Sequence, residues 1–176
     1  MFTIGHSTRP IQEFVDLILS HGSSCIVDVR TVPRSRHNPQ FNRDILPLTL
    51  EASGIGYVWL QALGGLRRSR PDSLNTGWRN LSFRGYADYM QTPEFEAGLN
   101  ELLTLPDVGT ATLMCAEAVP WHCHRSLIAD ALSVRGFEVE HIMGAGKHYP
   151  HKLTPWARLS GGKVIYPSLE EADAPQ

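Results

Sequence analysis

The sequence predicts an α/β fold: a mainly parallel sheet flanked by helices in three layers. Two observations carry this. Short apolar, β-branched runs alternate along the chain with segments of helical periodicity, the signature of successive βαβ units. Ionisable residues and glycines fall repeatedly just past those runs, where parallel sheets place their ligands. At 176 residues the chain matches one domain and is long enough to build a core without disulfide or metal staples. Residues 1–169 are read as that single domain and 170–176 as a flexible acidic tail.

The elements follow in order. Phe2-Thr3-Ile4-Gly5 reads as a first strand, and Pro10 suits the first turn of a helix. Ile11, Phe14, Val15, Ile18 and Leu19 fall at helical spacing from Ile11 to Ser20, which His21-Gly22 ends. Cys25 to Arg30 is β-branched and turns polar at its end, a second strand. A Pro- and Arg-rich loop precedes a helix over Asp44–Ala52 and a strand at Tyr57–Leu60. Gly64 to Phe83 shows no periodicity, and loops of that length are commonly functional. Tyr86–Leu105 is helical with a break at Pro93. Ala111–Cys115 is a strand, His124–Val134 a helix, Val139–Met143 a further strand, and Leu159–Tyr166 a hairpin around Gly161-Gly162.

Charge and composition exclude several classes. The formal net charge is −2, which argues against a polybasic DNA-coating protein. No apolar run approaches a membrane span, and no secretory signal is visible at the N-terminus. Three cysteines make a poor disulfide framework, so a cytoplasmic location is expected. The basic residues are lopsided, 13 Arg to 3 Lys. Nine of those arginines lie between Arg30 and Arg84, a segment of local charge +6, interleaved with Phe41, Tyr57, Trp59, Trp78 and Phe83 that offer faces for stacking.

The candidate site collects at the strand ends. The first strand contributes His6, the second Asp28 and Arg30 with Arg34 and Arg36 beyond, the fourth Cys115 and Glu117, and the fifth a glycine turn presenting Lys147. The densest feature is Cys115–Arg125, a strand end, a loop and a helix start. Backbone N–H groups at a helix N-terminus bind anions and lower the pKa of a nearby thiol, which implicates Cys123, His124 and Arg125. The competing reading makes Cys115 and Cys123 small buried hydrophobes, as Cys25 in mid-strand is. Zinc-type ligands are present in Cys115, His122, Cys123, His124 and His6. Their spacing matches no common structural-zinc pattern, so neither metal nor cofactor is expected.

The motifs Thr3-Ile-Gly-His-Ser-Thr-Arg, Val27-Asp-Val-Arg with Pro33-Arg-Ser-Arg and Asn38-Pro, Leu63-Gly-Gly, and Cys115-Ala-Glu with Cys123-His-Arg-Ser resemble the prokaryotic domain-of-unknown-function family 488. The resemblance covers about Phe2 to Pro167 and implies a compact α/β domain whose Cys, Glu, His and Arg motifs gather at one face. A weaker likeness is to rhodanese-type domains, through Asp28-Val-Arg30, Arg125-Ser126, Gly136-Phe137 and Gly144-Ala-Gly146. The loop from Cys115 to Arg125 holds nine intervening residues, longer than the rhodanese cradle or the Cys-x5-Arg of cysteine phosphatases. What this likeness implies is therefore strand–loop–helix geometry in a distantly rhodanese- or Rossmann-like fold.

Three functions compete. The favoured one is a cysteine-dependent transferase or hydrolase acting on an anionic, phosphate-bearing substrate, a nucleotide or nucleic acid among the options. In it Cys115 is the nucleophile or redox centre, and Glu117, His6 or His124 the acid/base. Asp28, Arg30, Arg34, Arg36, Cys123, Arg125 and Lys147 bind substrate. The alternatives are a non-catalytic nucleic-acid-binding module using segment 30–84, and a metal-bound domain. The oligomeric state stays open.

Overall fold

Strands of four or five residues with both faces covered need continuous apolar runs, and the centre of this sheet has them. In β4, Ala111–Cys115, all five residues are buried. It pairs in parallel with β1 (Phe2–Gly5) on one side and β2 (Cys25–Asp28) on the other. β3 (Gly56–Trp59) and β5 (Glu140–Gly144) add parallel neighbours outside these, and β6 (Lys147–Pro150) closes one edge antiparallel to β5. The order is β3-β2-β4-β1-β5-β6. The computed structural model describes residues 1–106 and 108–168, so the acidic tail expected at 170–176 lies outside the described residues.

Helices cover both faces. Alternation along β2 and β4 sends Val27, Leu113 and Cys115 to one face, and Ile26 and Met114 to the other. The first face is packed by α3 (Leu81–Tyr89), α4 (Pro93–Leu103) and α5 (Arg125–Ser133); the second by α1 (Ile11–Ser20) and α2 (Leu46–Ala52). The helical segment expected over Tyr86–Leu105 is two helices. Thr92 accepts a hydrogen bond from the Phe95 amide and Pro93 occupies the first turn of α4, as its fixed φ allows. α3 begins earlier than expected because Asn80 caps it, accepting from the amides of Ser82 and Phe83. Among the described residues no helix is long and apolar enough to cross a membrane.

Two expectations are corrected. The strand expected over Cys25–Arg30 stops at Asp28, whose carboxylate accepts the Arg30 amide and turns the chain. The glycine run after β5 is the turn of a hairpin, with Gly146 at positive φ, and Lys147 opens the exposed edge strand β6. That strand lacks alternation and ends in proline, so it carried no strand signal. The three-layer α/β architecture with a mainly parallel sheet is as expected, and its strand order is 3-2-4-1-5-6.

This order creates a switch point. From β1 the chain crosses past β4 to reach β2, with α1 on one face; from β4 it crosses past β1 to reach β5, with α5 on the other. The two connections diverge between β1 and β4, leaving a crevice at their carboxyl ends, the position where open α/β sheets bind ligands.

The long aperiodic segment is tied down rather than loose. The buried Asp88 carboxylate of α3 accepts from Ser73 Oγ, Asn75 Nδ2 and the Arg70 amide. The C-terminal hairpin of β7 (Arg158–Ser160) and β8 (Lys163–Ile165) is stitched on by Gln91 and Asn75. A second buried carboxylate, Asp130 of α5, accepts from His151 Nε2, Thr154 N and Oγ1, and Tyr166 Oη. His151 Nδ1 lies 3.0 Å from His141 Nε2, and His141 Nδ1 2.7 Å from Thr3 Oγ1, so the network reaches from α5 through β5 to β1. Replacing Asp130 by Ala strands those donors in a dry interior, and the expected loss is about 3–5 kcal/mol in urea unfolding. A loss below about 1 kcal/mol would show that the network adds nothing to the fold.

Candidate functional site

The crevice is built first from backbone. The amides of His6 and Ser7 donate to Cys115 O and Ala116 O, both at 2.9 Å, extending the β1–β4 ladder past the strand ends. Gly5 has to be glycine: a Cβ there would lie 1.8 Å from Glu117 O. The loop after β4 is held from the opposite side by Arg125, the first residue of α5 and 1% exposed, which donates to Glu117 O and Ala118 O. Arg125 was expected to bind substrate. Its guanidinium instead clamps the loop, with Nε lacking a partner among the described residues.

The turn after β2 supplies the next layer. Arg30 makes a bidentate contact with Asp28, Nε to Oδ1 at 2.9 Å and Nη2 to Oδ2 at 2.6 Å, the planar fork that only arginine offers. Nη2 also donates to Phe41 O at 2.7 Å, and Nη1 lies 3.1 Å from His6 Nε2. Arginine only donates, so Nε2 is the acceptor and Nδ1–H donates to Ser7 O at 2.8 Å. Burial, with Arg30's positive charge adding to it, lowers the His6 pKa to about 4. A neutral ring with its lone pair occupied is a poor acid or base, and His6 instead orients Arg30. Phe41 stacks on the His6 ring at 4.2 Å, and Tyr57 donates its hydroxyl to Asp28 Oδ2 at 2.8 Å.

The chemistry-bearing group lies at the end of β4. His124 Nε2 donates to Val29 O at 2.9 Å, which leaves Nδ1 facing two sulfurs: Cys123 Sγ at 3.8 Å and Cys115 Sγ at 4.0 Å. A hydrogen bond from Cys123, aided by His124 and the Arg125 charge, holds the Cys115 thiol well below its usual pKa despite burial. The same bond and burial push Cys123 up. Cys123 lies two residues before Arg125, the first residue of α5. All three donor atoms lie within 4.8 Å of one another, a set that would suit a soft divalent cation.

Two adjoining cavities meet here. One of about 480 Å³ is walled by Cys115, Cys123, His124, Phe83, Tyr86 and Gly65, and is mostly apolar. The other, about 400 Å³, is more polar and holds His6, Ser7, Thr8, Arg34, Ser35 and Asn38. Arg30, Val32, Ala116 and Glu117 line both. The structure thus brings together Cys115, Cys123, His124, Glu117, His6, Asp28, Arg30 and Arg34. Arg36 is exposed beside Arg34 and lines a separate shallow pocket with it. Lys147, on β6, lines neither of the two cavities.

Several arginines of segment 30–84 have partners within the chain, although Arg34, Arg36, Arg43, Arg68, Arg70 and Arg79 are exposed. Arg43 covers Trp59 at 3.9 Å, Arg67 covers Tyr89 at 3.6 Å, Arg70 pairs with Asp72, and Arg84 donates to Trp78 O. Phe41 is buried, and Trp78 stacks on Phe83. Sequence reasoning missed Tyr86, whose ring sits 4.9 Å from His124, because nothing in α3's pattern marks it. Gly65 carried a signal in the Leu63-Gly-Gly motif, since a Cβ there would lie 2.8 Å from His124 Nδ1.

A family model described as "Domain of unknown function DUF488" matches residues 10–132, well over half of the chain. No curated protein and no solved structure matches it.

His6 and His141 share a physical situation: burial lowers each from 6.5 to about 4. The unfolded chain therefore binds more protons between those values, and stability rises with pH. Their contribution is complete above about pH 6.5 and is lost as pH falls through about 4. The expected loss is on the order of 3 kcal/mol for each histidine, with uptake of about two protons on unfolding, read from urea midpoints across that range. A flat profile would contradict burial of the neutral rings.

Proposed function

The chain belongs to the DUF488 family of domains of unknown function, and from that premise we propose that it is a cysteine-dependent enzyme. Cys115 is its nucleophile and its substrate carries an anionic group. The observation that carries this reading is the placing of Cys115 Sγ on the wall of a cavity of about 480 Å³, with His124 Nδ1 at 4.0 Å. A thiolate is the reactive form of cysteine, and a base within reach of the thiol is the arrangement nucleophilic catalysis requires.

In this reading His124 takes the thiol proton, its ring oriented by the Val29 carbonyl. The thiolate attacks an electrophilic centre held in the apolar cavity against Phe83 and Tyr86. The anionic end of the substrate lies in the polar cavity, where Arg34, Ser7 and Thr8 face it. Arg30 adds at most one N–H, because its other donors are engaged by Asp28, His6 and Phe41. Glu117, exposed at the junction of the two cavities, is the group in place to protonate a leaving group or to activate water. The nucleic-acid-binding alternative draws less support, because the aromatics it needs for stacking are engaged within the protein: Phe41 is buried, Trp78 and Phe83 stack on each other, and Arg43 covers Trp59.

Two alkylating agents of similar size test the reading. Iodoacetamide at neutral pH is expected to modify Cys115 at least about tenfold faster than free glutathione, with Cys25 and Cys123 slower. The anionic reagent iodoacetate is expected to compete better at Cys115 than at glutathione, and Arg34→Ala to remove that advantage while sparing the iodoacetamide rate. Cys115 reacting no faster than a free thiol overturns the nucleophile assignment. Release of a stoichiometric metal ion on thiol modification would move the reading to a metal-bound domain.

A further inference from the structure

A nucleophile needs one thiol, and this site has two. Cys115 and Cys123 come from the end of β4 and the start of α5, bracketing a loop, yet their sulfurs lie within 4.8 Å of each other on the wall of the same cavity. A disulfide needs a separation of about 2 Å, so bond formation asks for a closure of under about 3 Å. Cys123 has extended backbone angles (φ −133°, ψ 143°) and lies in the link between the short 3-10 turn Pro120–His122 and α5, outside both elements. The third thiol, Cys25, lies at the opposite end of the sheet, at the start of β2.

We propose that Cys115 and Cys123 form a reversible dithiol–disulfide couple that exchanges with small, carboxylate-bearing disulfides; this rests on the reading of Cys115 as nucleophile. The Cys115 thiolate attacks one sulfur of the substrate disulfide, a mixed disulfide forms on Cys115, and the first substrate thiolate leaves with the proton that His124 took from Cys115, which restores the neutral imidazole. Cys123 Sγ then gives its proton to His124 Nδ1, 3.8 Å away, and attacks the Cys115 sulfur. The Cys115–Cys123 bond forms, and the second substrate thiol leaves with the proton held by His124. Two electrons pass from the protein dithiol to the substrate disulfide, and excess small thiol runs the sequence backward. The division of labour matches the electrostatics: Cys115 carries the charge and attacks first, while Cys123 keeps its proton until a mixed disulfide exists. The polar cavity beside the thiols, with Arg34, Ser7 and Thr8, is suited to the carboxylates of such a substrate.

The test uses the fully reduced chain, glutathione disulfide as the probe, and peptide mass mapping after acid quenching. The peptide carrying both cysteines is expected to become lighter by two hydrogens with no glutathione retained. Cys123→Ser is expected to stop at one glutathione on Cys115, and Cys123→Ala, which removes the polar atom altogether, to do the same. A stable glutathione adduct on Cys115 in the unmodified chain, with Cys123 still free, overturns the couple and leaves the nucleophile standing. No reaction at Cys115, in a protein whose Cys115 is rapidly alkylated by iodoacetamide, also overturns the couple. Failure of both reactions removes the nucleophile reading as well.

Discussion

A guanidinium buried to 6% exposure has to find acceptors for its N–H groups, and at Arg30 the solution organises the whole crevice. The acceptors are the Asp28 carboxylate, the Phe41 carbonyl and the His6 ring, which come from the end of β2, the loop beyond it and the end of β1. Asp28 is fully buried and would be left as an unpaired charge without Arg30, a loss of about 3–5 kcal/mol. The intervening residue matters equally, because Val29 O accepts from His124 Nε2 and so decides which imidazole nitrogen faces the thiols. Three consecutive residues therefore set a charge, a tautomer and a loop.

That arrangement works because of where the sheet puts it. The connections after β1 and β4 diverge at adjacent strands, and the crevice between them is floored by Gly5, where only a hydrogen in place of a side chain admits Glu117 O. Arg125 holds the same loop from the α5 side. A loop fixed at both flanks can present Cys115 and Cys123 at short range without a covalent bond between them. Two thiols within 4.8 Å of each other beside an imidazole form a more versatile unit than one isolated thiol.

Much of this was legible in the residues. Period and β-branching marked the five parallel strands and the helices, because short buried strands and amphipathic helices leave strong patterns. Strand-end placement brought Cys115, Cys123, His124, His6, Asp28 and Arg30 onto one face before any coordinates. Roles were harder. Arg125 and most arginines of segment 30–84 look like anion ligands in sequence, yet a guanidinium satisfied by backbone carbonyls or an aromatic face leaves the same letter. His6 looks like an acid or base until its neighbour is known to be a donor that occupies its lone pair. β6 went unseen because an exposed edge strand needs no apolar alternation, and Lys147 was misplaced with it.

A nucleophilic Cys115 with its thiol held low would carry a negative charge in the resting protein. The ultraviolet absorbance of a thiolate tests it directly, as the difference spectrum between the reduced native chain and Cys115→Ser at neutral pH. About one thiolate per chain is expected, absent from Cys115→Ser and retained in Cys25→Ser. Identical spectra for the native chain and Cys115→Ser would show that Cys115 is an ordinary buried thiol, and would contradict the site as described.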